Sequence, residues 1–249
     1  MEPAIRHLAR VLTISVAAGL AALVGLGLWW FLAGPPMAPV PVSPAALAGL
    51  FPRSAGFQYE PPEAGSYELP AIKTAPDGGL LDHTGAPVRL RELTDGKKTL
   101  LAFVYLNCAD AEGCPLAMAT LWQIFDKSAQ WAGLREQLQL VTISFDPQRD
   151  TPAALNSIVQ SMQADRDLDR KILWRFLTGR STASLRPLLE GFGQTVNVAR
   201  EPGKFNHLLR LYLLDEQGDI RNIYGLGSID PRLIMTDVAT LAMQKAGAP

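Results

Sequence analysis

A buried strand, two cysteines and the start of a helix follow one another in residues 100–118, LLAFVYLNCADAEGCPLAM, and this segment constrains the fold most strongly. Its apolar run stops at Asn107-Cys108, and Cys114 follows after a spacer of five residues. Pro115 and a helical pattern come directly afterwards, and proline is tolerated in the first helical turn. A fully apolar strand that leads into a helix is typical of a parallel sheet covered by helices. Such sheets collect reactive groups where a strand ends and a helix begins.

The other predicted elements extend this unit in the order β-α-β-α-β-α-β-β-α. A helix over 115–137 leads to a strand over 138–145, and a strand over 208–214 turns back as a hairpin at 220–224. Asp230 is the expected N-cap of the last helix. This order predicts an α/β protein with a thioredoxin-like mixed sheet flanked by helices, preceded by one N-terminal transmembrane helix.

Residues 11–33 form an apolar segment without a charge. As a helix, this segment is about 34 Å long, enough to cross a hydrocarbon core of about 30 Å. Arg6 and Arg10 precede it, which places residues 1–10 in the cytoplasm and the rest of the chain in the periplasm or an equivalent compartment. We therefore predict a single-pass protein of the inner membrane. The alternative is a cleaved signal peptide, since Ala46-Leu47-Ala48 has a small-x-small pattern, but the apolar run is longer than such peptides use.

The amino-acid composition predicts a linker and a folded domain in the exported part of the chain, and it argues against several classes of function. Residues 34–64 are rich in proline and predict a semi-rigid linker, and the folded domain is expected over 65–249. The net charge is −1 and no cluster of Lys and Arg stands out, which argues against a nucleic-acid partner. Two cysteines are too few for a zinc ribbon or an iron–sulfur cluster.

In an oxidising compartment, Cys108 and Cys114 suit a structural disulfide, a redox dithiol or a metal site. In the predicted fold, their strand–helix junction lies beside the loop 203–207, so His207 is expected to join them. Two thiolates and an imidazole suit a soft ion, Cu(I) above all, with Cu(II) or Zn(II) as alternatives if further ligands are added. Asp146 ends a parallel strand and is expected to face the site, as an outer contact to the ligands or to a partner.

The spacing of the cysteines argues against general disulfide exchange. Thiol–disulfide oxidoreductases usually carry Cys-x-x-Cys at a helix N-terminus, whereas Cys108 and Cys114 enclose a longer loop with two acids. Thioredoxins also need a proline where this chain has His207. A peroxidase-like site is disfavoured because no Thr-x-x-Cys is present.

Four segments together resemble the Sco/SenC family of membrane-anchored copper chaperones, which have a thioredoxin-like domain. They are FVYLNCADAEGCPLA, ISFDPQRDTP, WRFLTG and FNHLLRLYLLDEQGDIRNIYG. The family's usual motif is Cys-x₃-Cys-Pro, and here the spacer is two residues longer with Pro115 retained.

The resemblance implies that Cys108, Cys114 and His207 bind copper, and that the two cysteines form a disulfide when oxidised. It implies delivery of copper to the binuclear copper centre of cytochrome c oxidase, or reduction of the cysteines of that centre. The implied partner is the copper-bearing subunit of the oxidase or another periplasmic copper protein. A metal-independent thiol–disulfide oxidoreductase and a purely structural adaptor remain as alternatives, so the sequence leaves open whether the protein is an enzyme.

Overall fold

The apolar strand predicted near residue 100 lies at the centre of the structure, a computed structural model. The structure describes residues 46, 49–53, 56–108, 113–131, 133–198 and 205–246. The predicted anchor at 11–33 lies outside these residues, as do residues 1–10 and the first part of the predicted linker. Among the described residues, no helix is long and apolar enough to cross a membrane.

The described residues between 73 and 246 include ten strands and six α-helices. The strands are β1 (Lys73–Thr74), β2 (Gly79–Asp82), β3 (Pro87–Arg89), β4 (Lys98–Val104), β5 (Leu138–Ser144), β6 (Leu173–Thr178), β7 (Val196–Val198), β8 (Phe205–His207), β9 (Leu211–Leu214) and β10 (Asp219–Tyr224). The helices are α1 (Leu90–Thr94), α2 (Cys114–Ser128), α3 (Leu134–Gln137), α4 (Pro152–Met162), α5 (Thr182–Gly191) and α6 (Pro231–Ala246).

Eight of these strands form one mixed sheet in the order β1-β10-β9-β4-β5-β6-β2-β3. β4, β5 and β6 run parallel, and the remaining neighbours pair antiparallel. Every residue of β4 and β5 is buried, as expected for parallel strands covered on both faces. The predicted mixed sheet flanked by helices is therefore confirmed.

The register of the parallel strands positions the candidate site. Val104 pairs with Ser144 at the ends of β4 and β5, and the Phe145 N–H donates to the Val104 carbonyl at 3.0 Å. Both carboxyl ends therefore lie at one edge of the sheet. The segment that leads to Cys108 emerges beside the segment that starts at Phe145.

The helix predicted over 115–137 is interrupted, so this prediction is wrong in its second half. α2 ends at Ser128, and α3 begins only at Leu134. Gly133 between them has a φ of 81°, a left-handed conformation that glycine adopts without steric cost. The apolar spacing that predicts one long helix continues past the break, because Leu134, the first residue of α3, is buried.

The strand predicted over 208–214 is also shorter than expected, because its first residues leave the sheet. β8 pairs antiparallel with β7, with Val196 opposite His207, and these two strands form a separate sheet. Leu208 is 49% exposed and β9 begins only at Leu211. His207 thus lies on a strand of a hairpin rather than in a loop.

Part of the predicted linker contacts α6. Arg232 is 5% exposed and its Nη2 donates to the carbonyl oxygens of Phe57 and Tyr59, both at 3.2 Å. Phe51 is also buried. The chain before residue 65 therefore touches the folded part, while the domain boundaries stay a prediction.

Gly179, directly after β6, offers a test of the packing between β6 and α5. A Cβ at this position would lie 2.3 Å from Leu185 Cγ, and the Leu185 side chain is fully buried. We expect Gly179→Ala to lower the free energy of unfolding by about 1–3 kcal/mol, because the core must shift to admit the methyl group. Urea denaturation measures the change. Gly79→Ala is the control, since nothing lies within 4 Å of its Cβ, and equal destabilisation of both variants would contradict the packing.

Candidate metal centre

Cys108 is presented by a tight turn at the end of β4. The Cys108 N–H donates to the Tyr105 carbonyl at 3.3 Å, so the chain reverses over these four residues. The Leu106 N–H inside the turn donates to Asp150 Oδ2 at 2.9 Å. The Cys108 side chain is half-buried and, like that of Cys114, is not in a disulfide.

Cys114 occupies the first position of α2 and is almost fully buried, with 2% exposure. Burial raises the pKa of its thiol to about 12, while the main-chain N–H of Tyr105 donates towards the sulfur and opposes this rise. The partial positive charge at the start of α2 also favours a thiolate at this position. Because burial disfavours the negatively charged thiolate, the Cys114 sulfur needs either a proton or a bound cation.

His207 completes the group from β8. Its Nε2 lies 3.3 Å from Cys114 Sγ, and its Nδ1 lies 3.4 Å from the Leu208 carbonyl oxygen. Because a carbonyl only accepts hydrogen bonds, a proton on Nδ1 leaves the lone pair of Nε2 directed at Cys114. We infer this tautomer from the contacts, and it is the form in which imidazole binds a metal.

Cys108, Cys114 and His207, called the trio below, have their donor atoms within 4.8 Å of one another. Bonds of about 2.0–2.3 Å from sulfur and nitrogen to one ion put opposite ligands roughly 4–4.6 Å apart. The trio therefore needs only small movements to share an ion. Two sulfurs and one imidazole nitrogen are a soft donor set, and this fits a thiophilic ion of low coordination number.

Two aromatic rings, Tyr105 and Phe145, contact His207, and Phe205 packs on both of them; these three rings form the aromatic wall of the site. The ring centroid of His207 lies 5.0 Å from that of Phe145 and 6.0 Å from that of Tyr105. Tyr105 contacts Phe145 and Phe205 at 5.3 Å and 5.1 Å. Rings at these distances hold the imidazole by edge and face contacts and exclude water from one side of it.

Asp146 lies near this edge of the sheet but is not a member of the trio. Its Oδ2 accepts a hydrogen bond from Arg149 Nη1 at 2.9 Å, and it is 4% exposed. The neighbouring Asp150 links the Cys108 turn to the end of β5, since its Oδ2 accepts hydrogen bonds from both the Leu106 N–H and the Ser144 hydroxyl.

Sequence reasoning missed Asp150 and two rings of the aromatic wall, Phe145 and Phe205, as parts of the site. Asp150 directly precedes Thr151, the N-cap of α4, and follows the parallel strand β5 by six residues. Its position at the carboxyl end of that strand was the available signal. For Phe205, the signal was an aromatic residue two positions before His207, on the same face of a strand.

A cavity of about 780 Å³ opens beside the half-buried side of the trio. Leu208 and Leu226 on its wall are 49% and 50% exposed. Cys108 and His207 both line it, so an ion held by the trio is accessible from this cavity. The full lining is Tyr105, Cys108, Gly113, Phe205, His207, Leu208, Leu209, Arg210, Ile223, Gly225 and Leu226.

Known proteins resemble this chain in both sequence and fold. A candidate copper-binding protein of Stutzerimonas stutzeri is 33% identical over 96 residues, which cover 39% of this chain and 45% of the relative. The chain therefore spans less than half the length of that curated relative in the alignment.

Solved structures with the same fold include Arabidopsis thaliana ScoI with copper bound, at a TM-score of 0.53 and 22% identity over 69% of this chain and 99% of that one. They also include BsSco, a member of the Sco family of cytochrome c oxidase assembly proteins in which a disulfide switch was identified. BsSco has a TM-score of 0.54 and 21% identity over 73% of this chain and 98% of that one.

The SCO1/SenC family model matches residues 71–243, a range that contains the whole mixed sheet, both cysteines and His207. That range covers more than half of the chain and includes all the elements that build the site. The expected resemblance is confirmed, and the chain belongs to the SCO1/SenC family.

Proposed function

We propose that this protein is a membrane-anchored copper chaperone that binds one copper ion through Cys108, Cys114 and His207 and passes it to a partner protein. The observation that carries the proposal is the convergence of the three donor atoms within 4.8 Å, although His207 is 93 residues from Cys114. Membership of the SCO1/SenC family supports it. Copper bound to Arabidopsis thaliana ScoI and the candidate copper-binding protein of Stutzerimonas stutzeri favour copper as the ion.

The two halves of the trio differ in burial, and this difference suits transfer of a cargo ion. Cys114 is buried and contacts His207, so it is the inner ligand of the site. Cys108 and His207 are half-buried, and both line the cavity. A ligand from a partner can therefore approach from the cavity and replace one of these two, while Cys114 still holds the ion.

The proposed partner is the copper-bearing subunit of cytochrome c oxidase or another periplasmic copper protein. BsSco belongs to a family of cytochrome c oxidase assembly proteins, which supports this choice. The proposed anchor over residues 11–33 and the linker over 34–64 place the domain on the outer side of the inner membrane. An oxidase subunit that receives its copper outside the cytoplasm is within reach of such a domain.

A metal-independent thiol–disulfide oxidoreductase is the second candidate, and the closeness of the two sulfurs favours it. Their atoms lie within 4.8 Å, and a disulfide switch is identified in BsSco. In this role, the Cys108 thiolate attacks a partner disulfide and forms a mixed disulfide. Cys114 then displaces the partner as a dithiol, and the pair ends as a disulfide that an external thiol reductant must reduce. The contact of Cys114 with His207, which exchange does not need, makes this the less favoured function.

Anaerobic titration of the reduced protein with Cu(I), in competition with a chromophoric chelator, tests the proposal. We expect one Cu(I) per reduced chain and no comparable binding after oxidation of the cysteines, because a disulfide removes both thiolates from the donor set. A parallel assay measures reduction of a disulfide in a peptide that carries the two cysteines of an oxidase copper site. Weak Cu(I) binding together with efficient reduction that survives His207→Ala would replace the chaperone by the oxidoreductase.

A further inference from the structure

A second cavity, of about 700 Å³, lies between α5 and residues 193–197, and we propose that it binds an extended, uncharged peptide segment of a partner protein. This space is called the hairpin cavity below. Two rings of the aromatic wall, Phe145 and Phe205, line it, and Phe205 also lines the cavity beside the trio. No member of the trio lines the hairpin cavity, so its proposed role goes beyond copper binding and does not depend on it.

Gln194 is the polar group of the hairpin cavity that lacks a partner. Its side chain is 3% exposed, and neither Oε1 nor Nε2 has a hydrogen-bond partner among the described residues. Buried polar groups are nearly always hydrogen-bonded, because an unpaired one costs free energy. A primary amide offers an acceptor beside its donors, which is the complement of a peptide unit with its N–H and C=O. A peptide group bound against Gln194 therefore satisfies both ends of the side chain.

The strand edge beside Gln194 favours an extended peptide over a compact ligand. In the described part of the chain, β7 pairs with β8 alone, so one edge of β7 has no strand neighbour. The consecutive residues 193–197 all line the cavity. Successive side chains of a strand point to opposite faces, so a cavity that follows consecutive residues runs along the edge of the strand. An extended segment can pair its main-chain groups with such an edge.

The other lining side chains favour a segment with apolar side chains and no net charge. Phe145 and Leu189 are buried, and together with Phe205 they form an apolar side of the cavity. The charged residues of the lining are Arg186 and Glu190, which are exposed and lie one helical turn apart on α5. Because their charges are opposite, the cavity does not select a ligand of either sign.

Hydrogen exchange of the full-length reduced protein tests the proposal with an uncharged probe, the acetylated and amidated pentapeptide Thr-Val-Thr-Phe-Thr. Pairing with β7 takes up main-chain N–H groups of the protein. We therefore expect exchange within residues 193–198 to slow as the probe is added, roughly tenfold for the paired groups at ten times the dissociation constant. No slowing at about 10 mM probe, where a site with a dissociation constant of about 1 mM is mostly occupied, overturns the proposal.

Gln194→Met separates recognition of the peptide from packing. It keeps a side chain of similar length and removes both amide groups, so we expect the probe to bind at least about fivefold more weakly, the loss of one net hydrogen bond. Since the amide has no partner in the free protein, this variant should resist urea at least as well as the wild type. Gln160→Met, exposed on α4, is the matched control and should bind the probe as the wild type does. Equal binding by Gln194→Met and the wild type overturns the assignment of this site.

Two further measurements distinguish the proposal from its alternatives. The same pentapeptide with N-methyl groups throughout has no main-chain N–H to donate. If it binds as tightly as the unmodified probe, the ligand is not held as a strand and the proposal is overturned. Cu(I) titration of the same samples keeps the two sites apart. A wild type that binds the probe but no Cu(I) retains this site and loses the chaperone role, whereas Cu(I) binding without probe binding retains the chaperone role and removes this site.

Discussion

Replacing Cys114 by alanine is expected to reduce the affinity for Cu(I) roughly a thousandfold and to leave the fold intact. Structural metal sites with four ligands bind with about 10–16 kcal/mol, so one ligand supplies roughly 3–4 kcal/mol, and about 4 kcal/mol is a thousandfold. Cys114 is the buried ligand and contacts His207, so no solvent molecule can easily take its place. Competition with a chelator of known affinity measures the loss, and circular dichroism verifies the fold.

Three further variants separate a ligand effect from a general disturbance of α2. His207→Ala removes a neutral donor and leaves both thiolates, so we expect a smaller loss, about a hundredfold. Met118→Leu removes another sulfur one helical turn after Cys114 and changes little volume, and it should bind as the wild type does. Cys108→Ser should resemble Cys114→Ala. Unchanged binding in His207→Ala would rule out a site of three ligands, and an equal loss in Met118→Leu would indicate a disturbed helix.

The position of the two cysteines at the end of a central strand could be predicted from the sequence pattern around them. A fully apolar strand followed by a helix predicts a parallel sheet, and the ends of parallel strands collect functional groups. His207 is matched with them on a different ground: in the predicted thioredoxin-like fold, the loop before the penultimate strand lies beside the strand–helix junction, although His207 is 93 residues from Cys114. The structure places the three donor atoms within 4.8 Å.

The hairpin that carries His207 could not be predicted, and the reason is physical. The run LLRLYLL from residue 208 is almost uniformly apolar, so nothing in its pattern marks where the chain leaves the sheet. The break depends on tertiary contacts, chiefly Phe205 on Tyr105 and Arg210 donating to the Gly193 carbonyl at 2.8 Å. Likewise, the apolar spacing of α2 continues past Ser128, and the break before α3 ends at Gly133, which has a positive φ.

Asp150 is the acceptor that fastens the Cys108 turn to the end of β5, and its removal has the second large effect we expect. It is 1% exposed, and its Oδ2 accepts from the Leu106 N–H at 2.9 Å and from the Ser144 hydroxyl at 2.5 Å. Asp150→Ala leaves both donors without this partner, and an unsatisfied buried group costs about 1–3 kcal/mol. We therefore expect a loss of about 2–4 kcal/mol in the free energy of unfolding, measured by urea denaturation.

The same variant should also weaken Cu(I) binding by about tenfold to a hundredfold, the range for groups that hold metal ligands in place. Leu106 is only two residues before Cys108, so a loosened turn moves one of the two ligands that line the cavity. Asp150→Asn is the matched control, because it keeps an acceptor oxygen of the same shape. It should retain most of the stability and affinity, and if it lost as much of both as Asp150→Ala, the charge of Asp150 rather than its acceptor role would be responsible.

The pH dependence of stability offers an independent check on Asp150. Burial raises the pKa of its carboxyl, and the hydrogen bonds from Ser144 and Leu106 oppose this only in part. The folded protein thus holds this proton more tightly than the unfolded chain, whose carboxyl has a pKa of about 3.9. The stabilisation is complete below that unfolded value and is lost as the pH rises through the raised folded value. The stability of the wild type relative to Asp150→Asn should therefore decrease as the pH rises above about 4, and a difference that grows with pH would show that the native state favours the ionised carboxylate.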